Sequence, residues 1–312
     1  MRRKVIQQNP TTLVVSLPAK WAKANEVTKG DELDISEQED KLIVSIADQS
    51  KRKERTVTLN FNKKHWEIPN KKYKYVQRIL AAPYKAGYDE IIIRSDCKEV
   101  LEYIEKRVET FIGIEIIDQG RDYFKIKNLV SGLDEEFDNV FRRTLLITNR
   151  FATESLEIIK SKEYDDLKNL LRLEKTHNKI TDFCKRLLAA KDYDSPKKTR
   201  YLYALIAENE RLVDEYKDIC KYILNSKNPE ISKEIVTLLE DTNKLVVQYS
   251  NSFFKFDLES IHTLTKGFCK EEETALQLFD KPSTKDKRIV HHILNILTKT
   301  YEMGEAFLEM NI

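Results

Sequence analysis

The chain has 312 residues, 41% hydrophobic and 34% charged, with a formal net charge of +2. That length accommodates two or three domains, and no stretch nears the roughly 20 consecutive apolar residues of a membrane helix, which argues against membrane insertion. The basic start MRRKVIQQNP has no apolar run behind it, and Cys97, Cys184, Cys220 and Cys269 form no C-x-x-C pair, so we expect a cytoplasmic protein with reduced thiols.

In chain order, RKVIQQ, TLVVSL, DELDIS and KLIVSI read as four short strands, with PAKWAKA as a small helix between the second and third. Pro18 suits a first helical turn, where its missing N–H costs nothing. A basic KRKER linker follows. RTVTLNF then reads as a strand, KYVQRILAAPYKAG as a helix, DEIIIRS as a strand, EVLEYIEKRVETFI as a second helix, and IEIIDQ with DYFKIK as a closing hairpin. Beyond residue 132 only Gly267 and Gly304 remain of the seven glycines, and Pro196, Pro229 and Pro282 sit in polar stretches where helices begin or end. Six helices are expected, near 134–160, 163–191, 196–226, 230–254, 257–280 and 284–310. In the third, Leu202, Leu205, Leu212, Tyr216, Ile219 and Ile223 form an apolar stripe. The expected fold is multidomain α+β: residues 1–48 a small β unit, 54–130 an α/β connecting domain, and 133–312 an all-α bundle.

Within the bundle, RLVDEYKDI (211–219) is similar to EMGEAFLEM (302–310) at a shift of 91 residues, which also sets Leu187-Leu188 over Leu278-Phe279 and Asp182 over Glu273. Two three-helix repeats, about 133–226 and 230–312, follow from that shift.

Charge is uneven. Residues 1–30 hold six Lys/Arg against Glu26 alone, and residues 49–75 hold nine against Glu54 and Glu67. Such a footprint suits nucleic acid; a solvated surface is the plainer reading. The sequence contains no phosphate-cradling glycine loop, H-E-x-x-H or G-x-S-x-G, and His65, His177, His262, His291 and His292 stand in no triad context, so we expect no enzyme. Neighbouring His291 and His292 point about 100° apart on a helix and do not share an ion. Acidic residues do recur at helical spacing. Glu210, Asp214 and Asp218 lie four apart, opposite the apolar stripe; Glu174, Asn178 and Asp182 make a similar row, and Glu305 and Glu309 a shorter one. Facing carboxylate rows repel unless cations stand between them, and hard cations suit oxygen ligands. The metal candidates are therefore Glu174, Asp182, Glu210, Asp214, Asp218, Glu305 and Glu309, against the alternative of a solvated acidic face.

Two hairpins in under 50 residues cannot bury their own apolar faces, so the N-terminal unit needs a partner, most simply a second copy. A homodimer would double Arg2, Arg3, Lys4, Lys20 and Lys23 on one frame, a spacing suited to duplex backbone.

At these residues a family resemblance enters. TTLVVSLPAKWAKANEVTKGDELDI resembles the AbrB/SpoVT swapped-hairpin DNA-binding domain, through Ser16-Leu17-Pro18, Trp21 and Gly30-Asp31. RILAAPYKAGYDEIIIRS and IGIEIIDQ resemble the connecting domain of archaeal PhoU-related phosphate-uptake regulators, and LVDEYKDI with MGEAFLEM resembles the PhoU helical repeat. The resemblance implies a dimeric transcriptional regulator of phosphate homeostasis, with DNA read partly by the Asn9-Pro10-Thr11-Thr12 loop, so Thr11 and Thr12 join the DNA candidates. It also implies iron, zinc or another divalent cation on E/D-x-x-x-D rows and no organic cofactor. Asn178 stands where an acid is expected after Glu174, Tyr301 stands opposite Glu210, and the loop lacks the family's glycine pair. Further partners would be a phosphate-transporter component or a signalling kinase. A competing reading is a signalling adaptor whose N-terminal unit only dimerises or pairs with a protein, as antitoxin relatives of that fold do. A metal-dependent hydrolase would need a nucleophile or pocket that the sequence does not indicate.

Overall fold

In a computed structural model, residues 1–38, 40–46, 54–66, 74–130, 136–190, 195–226, 229, 231–281 and 285–312 are described. The chain divides into two compact units, Met1–Arg55 and Thr56–Ile312.

The first unit holds two antiparallel hairpins and one short helix. Strands β1 (Ile6–Asn9) and β2 (Thr12–Val14) pair with Ile6 opposite Val14, with a register shift between Gln7 and Asn9. Helix α1 (Ala19–Ala24) follows, then β3 (Leu33–Gln38) paired with β4 (Lys41–Ile46). Two expectations shift slightly. Pro18 is the N-cap residue, with extended backbone, rather than part of the first turn. Arg2, Arg3 and Lys4 precede β1, because β2 ends at Val14 and offers them no partner. Gly30 takes φ +98°, open only to glycine at low cost, and Asp31 closes the same turn by accepting from Thr28 N at 2.7 Å. Those are the Gly30-Asp31 pair that the sequence singled out.

The second unit begins with a four-stranded sheet in the order β5-β6-β8-β7: β5 (Thr56–Phe61), β6 (Glu90–Ser95), β7 (Ile114–Gln119) and β8 (Tyr123–Asn128). β5 and β6 run parallel, as a strand–helix–strand crossover requires, while β7 and β8 form the expected hairpin. Alternation explains the covered face. Val57, Ile91, Ile126 and Ile116 stand in one cross-strand row, and Leu59, Ile93 and Phe124 in the next. Helices α3 (Lys74–Lys85) and α4 (Lys98–Val108) cover these rows. The opposite face is polar, with Glu90 paired to Lys125 at 2.8 Å. A four-residue helix α2 (Lys63–Trp66) was not expected from the sequence.

Six long helices make the rest: α5 (Phe137–Ser161), α6 (Leu167–Ala190), α7 (Pro196–Asn225), α8 (Lys233–Ser252), α9 (Leu258–Asp280) and α10 (Lys287–Asn311). Expected helix ends at 134, 191, 230 and 284 lie outside the described residues. Starts are set by caps legible in the sequence: Ser195 before Pro196, Ser232, and Asp257, each accepting from the first turn. The six stripe residues of α7 are all buried, against α5, α6 and α10. The repeat is literal in the element bounds. α6 begins at Leu167 and α9 at Leu258, α7 at Pro196 and α10 at Lys287, and α5 ends at Ser161 and α8 at Ser252, each pair 91 residues apart. Contacts repeat too: α5 meets α8, α7 meets α10, and each triplet packs its own neighbours in the same order. Among the described residues no helix is long and apolar enough to cross a membrane.

The sheet layer is tied to the bundle through α6. Arg186 of α6, buried, donates to Tyr84 O and Tyr88 O at 2.9 Å each and lies over the Tyr84 ring at 5.1 Å. Gly87 follows α3 at φ +75°, so its conformation calls for glycine; a Cβ there would make only ordinary contact with the Ala189 backbone.

Candidate nucleic-acid interface and carboxylate groove

Every described residue of the N-terminal unit is exposed or half-buried. Leu13, Ile35 and Leu42 retain 70%, 65% and 65% of their accessible surface, and Val5, Ile6 and Val15 are also exposed. Apolar side chains on strands this short bury nothing unless another surface covers them. All seven DNA candidates are exposed: Arg2, Arg3 and Lys4 ahead of β1, Thr11 in the β1–β2 turn, Thr12 at the start of β2, and Lys20 and Lys23 on α1. In that turn, Asn9 Oδ1 accepts from both Thr11 N and Thr11 Oγ1 at 3.1 Å, an Asx turn that replaces a glycine-built loop. Linker residues Lys51, Arg52 and Lys53 lie outside the described residues.

The metal candidates gather in part. Glu174 and Asn178 of α6 face Glu210 and Asp214 of α7, but lysines stand between them. Lys217 Nζ lies 3.2 Å from Glu174 Oε1 and also pairs with Asp214, one turn back on its own helix. Lys185 of α6, 7% exposed, pairs with Glu210 of α7. Asn178 Nδ2 donates to Glu174 at 2.7 Å, so the amide that replaces an acid serves as a donor to its neighbour. Asp182 turns to Lys85 of α3 at 3.5 Å, and Asp218 to Lys221 of its own helix at 3.9 Å. Burial raises the Asp214 and Asp182 carboxyls. Burial works against the Lys217 ammonium too, yet its hydrogen bond to Asp214 and the charges of Asp214 and Glu174 hold its pKa above the usual lysine value.

A hard cation needs several oxygen lone pairs converging on one point. Here each groove carboxylate is already committed to an ammonium, and among the described residues no three His, Cys, Asp or Glu side chains converge to hold a metal. The groove as built does not suit the implied iron or zinc. In the second repeat Glu305 and Glu309 are exposed on α10. The matching seam between α9 and α10 is filled by Phe268 stacked on Tyr301, with centroids 4.6 Å apart.

Two polar features escaped the sequence reading. His177 is fully buried, with Nε2 3.2 Å from Asn209 Nδ2, while Asn209 Oδ1 accepts from Thr148 at 2.8 Å; this chain joins α6, α7 and α5. The lysines were missed because only acids were read along the rows, although the Asp214–Lys217 spacing of three is itself an ion-pair signal. As expected of inert thiols, Cys184 and Cys220 are buried, and burial pushes both up to about 12.

Residues 6–55 match a family model described as antidote-toxin recognition MazE, bacterial antitoxin. That segment covers the first compact unit from Ile6 onward and supports the MazE/AbrB type of N-terminal domain that the sequence resembles. No curated protein matches the chain. Among solved structures, the crystal structure of the phosphate transport system regulatory protein PhoU from Streptococcus pneumoniae is similar at 13% identity and a TM-score of 0.46, over 57% of this chain and 94% of that one.

Proposed function

We propose that the protein is a dimeric DNA-binding regulator, with the N-terminal unit as its DNA-contacting and dimerising part and the helical bundle as its sensory or partner-binding part. The observation that carries this reading is the N-terminal unit itself: it leaves Leu13, Ile35 and Leu42 in water and displays Arg2, Arg3, Lys4, Lys20 and Lys23. A second copy that covers the apolar faces doubles the cations on one frame, and releasing counterions from two stretches of duplex backbone drives binding. The match of 6–55 to the MazE model supports a unit of this kind. The link to phosphate uptake rests on the sequence resemblance of the connecting region and the helical repeat, with a phosphate-transporter component or a signalling kinase as the bundle's partner.

The MazE match also favours a second reading, in which the unit dimerises or pairs with a protein and the bundle acts as a signalling adaptor. Sedimentation of the full chain at micromolar concentration, followed by a salt titration of duplex binding, separates the two. A dimer whose DNA affinity falls steeply with salt supports the regulator. A dimer with no detectable DNA binding supports the adaptor, and a monomer overturns both. Mapping bound genomic DNA with phosphate replete and depleted then tests the phosphate link.

A further inference from the structure

We propose that Lys185 and Lys217 are the resident cations of the α6–α7 groove, binding Glu210, Glu174 and Asp214 in place of a metal ion.

The argument starts from charge. Glu174 and Asp182 of α6 and Glu210 and Asp214 of α7 bring four carboxylates to one groove, and Lys85, Lys185 and Lys217 bring three ammoniums. Two of those ammoniums cross the seam: Lys185 runs from α6 to α7, and Lys217 from α7 to α6. They therefore supply what a bridging metal would supply, opposite charge shared between two helices. A divalent ion placed at the same carboxylates would lie within a few ångströms of both ammoniums, and repulsion at that range in a poorly solvated groove is severe. The ladder is also built in. Lys185 is 7% exposed and Lys217 17%, so neither is a solvated surface lysine resting on a chance partner. Asn178 completes the set by donating to the carboxylate that Lys217 binds.

The repeat supplies an independent comparison. A shift of 91 residues carries Lys185 to Leu276, Lys217 to Leu308 and Glu210 to Tyr301. The Lys185–Glu210 pair is thus replaced at both ends, by Leu276 and Tyr301, and an aromatic stack closes the seam. Asp214, by contrast, keeps an acid at its counterpart, Glu305, and that acid, without a lysine at position 308, is exposed.

The test is metal binding by the full chain with Mn2+ as probe, alongside elemental analysis of protein purified without chelator. Wild type should contain no transition metal that Asp214→Ala removes. Lys217→Met keeps the length of the side chain and deletes its charge, and it should bind Mn2+ at least about tenfold more tightly than wild type. The added Asp214→Ala change should abolish that gain. Two results overturn the proposal: stoichiometric metal in wild type that is lost in Asp214→Ala, or a folded Lys217→Met protein that binds Mn2+ no better than wild type. If Lys217→Met does not fold, the comparison of wild type with Asp214→Ala decides alone.

Discussion

Phe268 and Tyr301 stack across the α9–α10 seam, and each stands 91 residues beyond a polar residue of the α6–α7 seam, His177 and Glu210. One backbone arrangement is thus closed in two chemical ways. The aromatic seam is non-directional and needs no partner of opposite charge, whereas the polar seam must satisfy every donor and acceptor it encloses.

The aromatic seam should behave as a pair. Phe268→Ala and Tyr301→Ala should each destabilise the chain by about 1–3 kcal/mol, and the double variant should lose about 0.5–1.5 kcal/mol less than the sum. Urea denaturation of the four proteins gives the cycle. Strict additivity would show that the two rings do not interact.

The polar seam should make stability depend on pH through His177. Burial lowers its pKa from 6.5 to about 4, partly offset by the Glu210 charge, and its Nδ1 has no hydrogen-bond partner among the described residues. The folded state therefore keeps His177 neutral while the unfolded chain takes up a proton. Where the unfolded state binds more protons, stability falls as pH falls, so the loss runs from about pH 6.5 down to about pH 4 and amounts to about 3 kcal/mol. Asp182 and Asp214, whose pKa values are raised, act with the opposite sign at the lower end of that range. Comparing wild type with His177→Gln isolates the histidine: the variant's stability should change less between pH 7 and pH 4.5. Parallel curves would remove His177 from the account.

Much of this architecture was legible. The apolar stripe of α7, the helix breaks at Pro196 and Pro229, and the 91-residue shift follow local rules of periodicity and turn chemistry, and they placed six helices in two triplets. Gly30 and Asp31 marked a turn because few residues fit there. The groove was harder. Rows of acids on α6 and α7 are visible in one dimension, but their counter-charges come from across the seam: Lys185 from the other helix, and Lys85 from a different layer, 97 residues from Asp182 in sequence. The same holds for Arg186, whose partners are backbone carbonyls of α3 and its C-terminal turn and so leave no side-chain signature.

Arg186 joins the sheet layer to the bundle, and its removal should register in both. Arg186→Met leaves two carbonyls near the end of α3 without their charged donor in a buried place, a loss of about 2–4 kcal/mol in urea denaturation. Arg186→Lys should recover only part, since a single ammonium cannot span both carbonyls and lie over the Tyr84 ring as a planar guanidinium does. Amides around Tyr84 to Tyr88 should exchange faster in both variants while those of α10 do not. Equal protection at α3 in wild type and Arg186→Met would show that apolar packing alone holds the layer.

DNA binding should depend on the cations ahead of β1 more than on the linker. Arg3 and Lys4 lie just ahead of a paired strand, so a dimer fixes their spacing within narrow limits, and a charge held in place loses little entropy on docking. Each phosphate contact removed should lower the slope of log affinity against log salt by about one unit. A symmetric dimer changed at one residue loses two contacts, so Arg3→Ala should lower the slope by about two, and Arg3→Ala with Lys4→Ala by about four. The double variant should remain a dimer by sedimentation, because these side chains are exposed and bury nothing. A control changed at Lys51, Arg52 and Lys53 should bind with a slope close to wild type. If instead the control loses affinity and the Arg3/Lys4 variant does not, the hairpin unit is not the DNA-contacting element, and the protein-pairing reading of that unit takes its place.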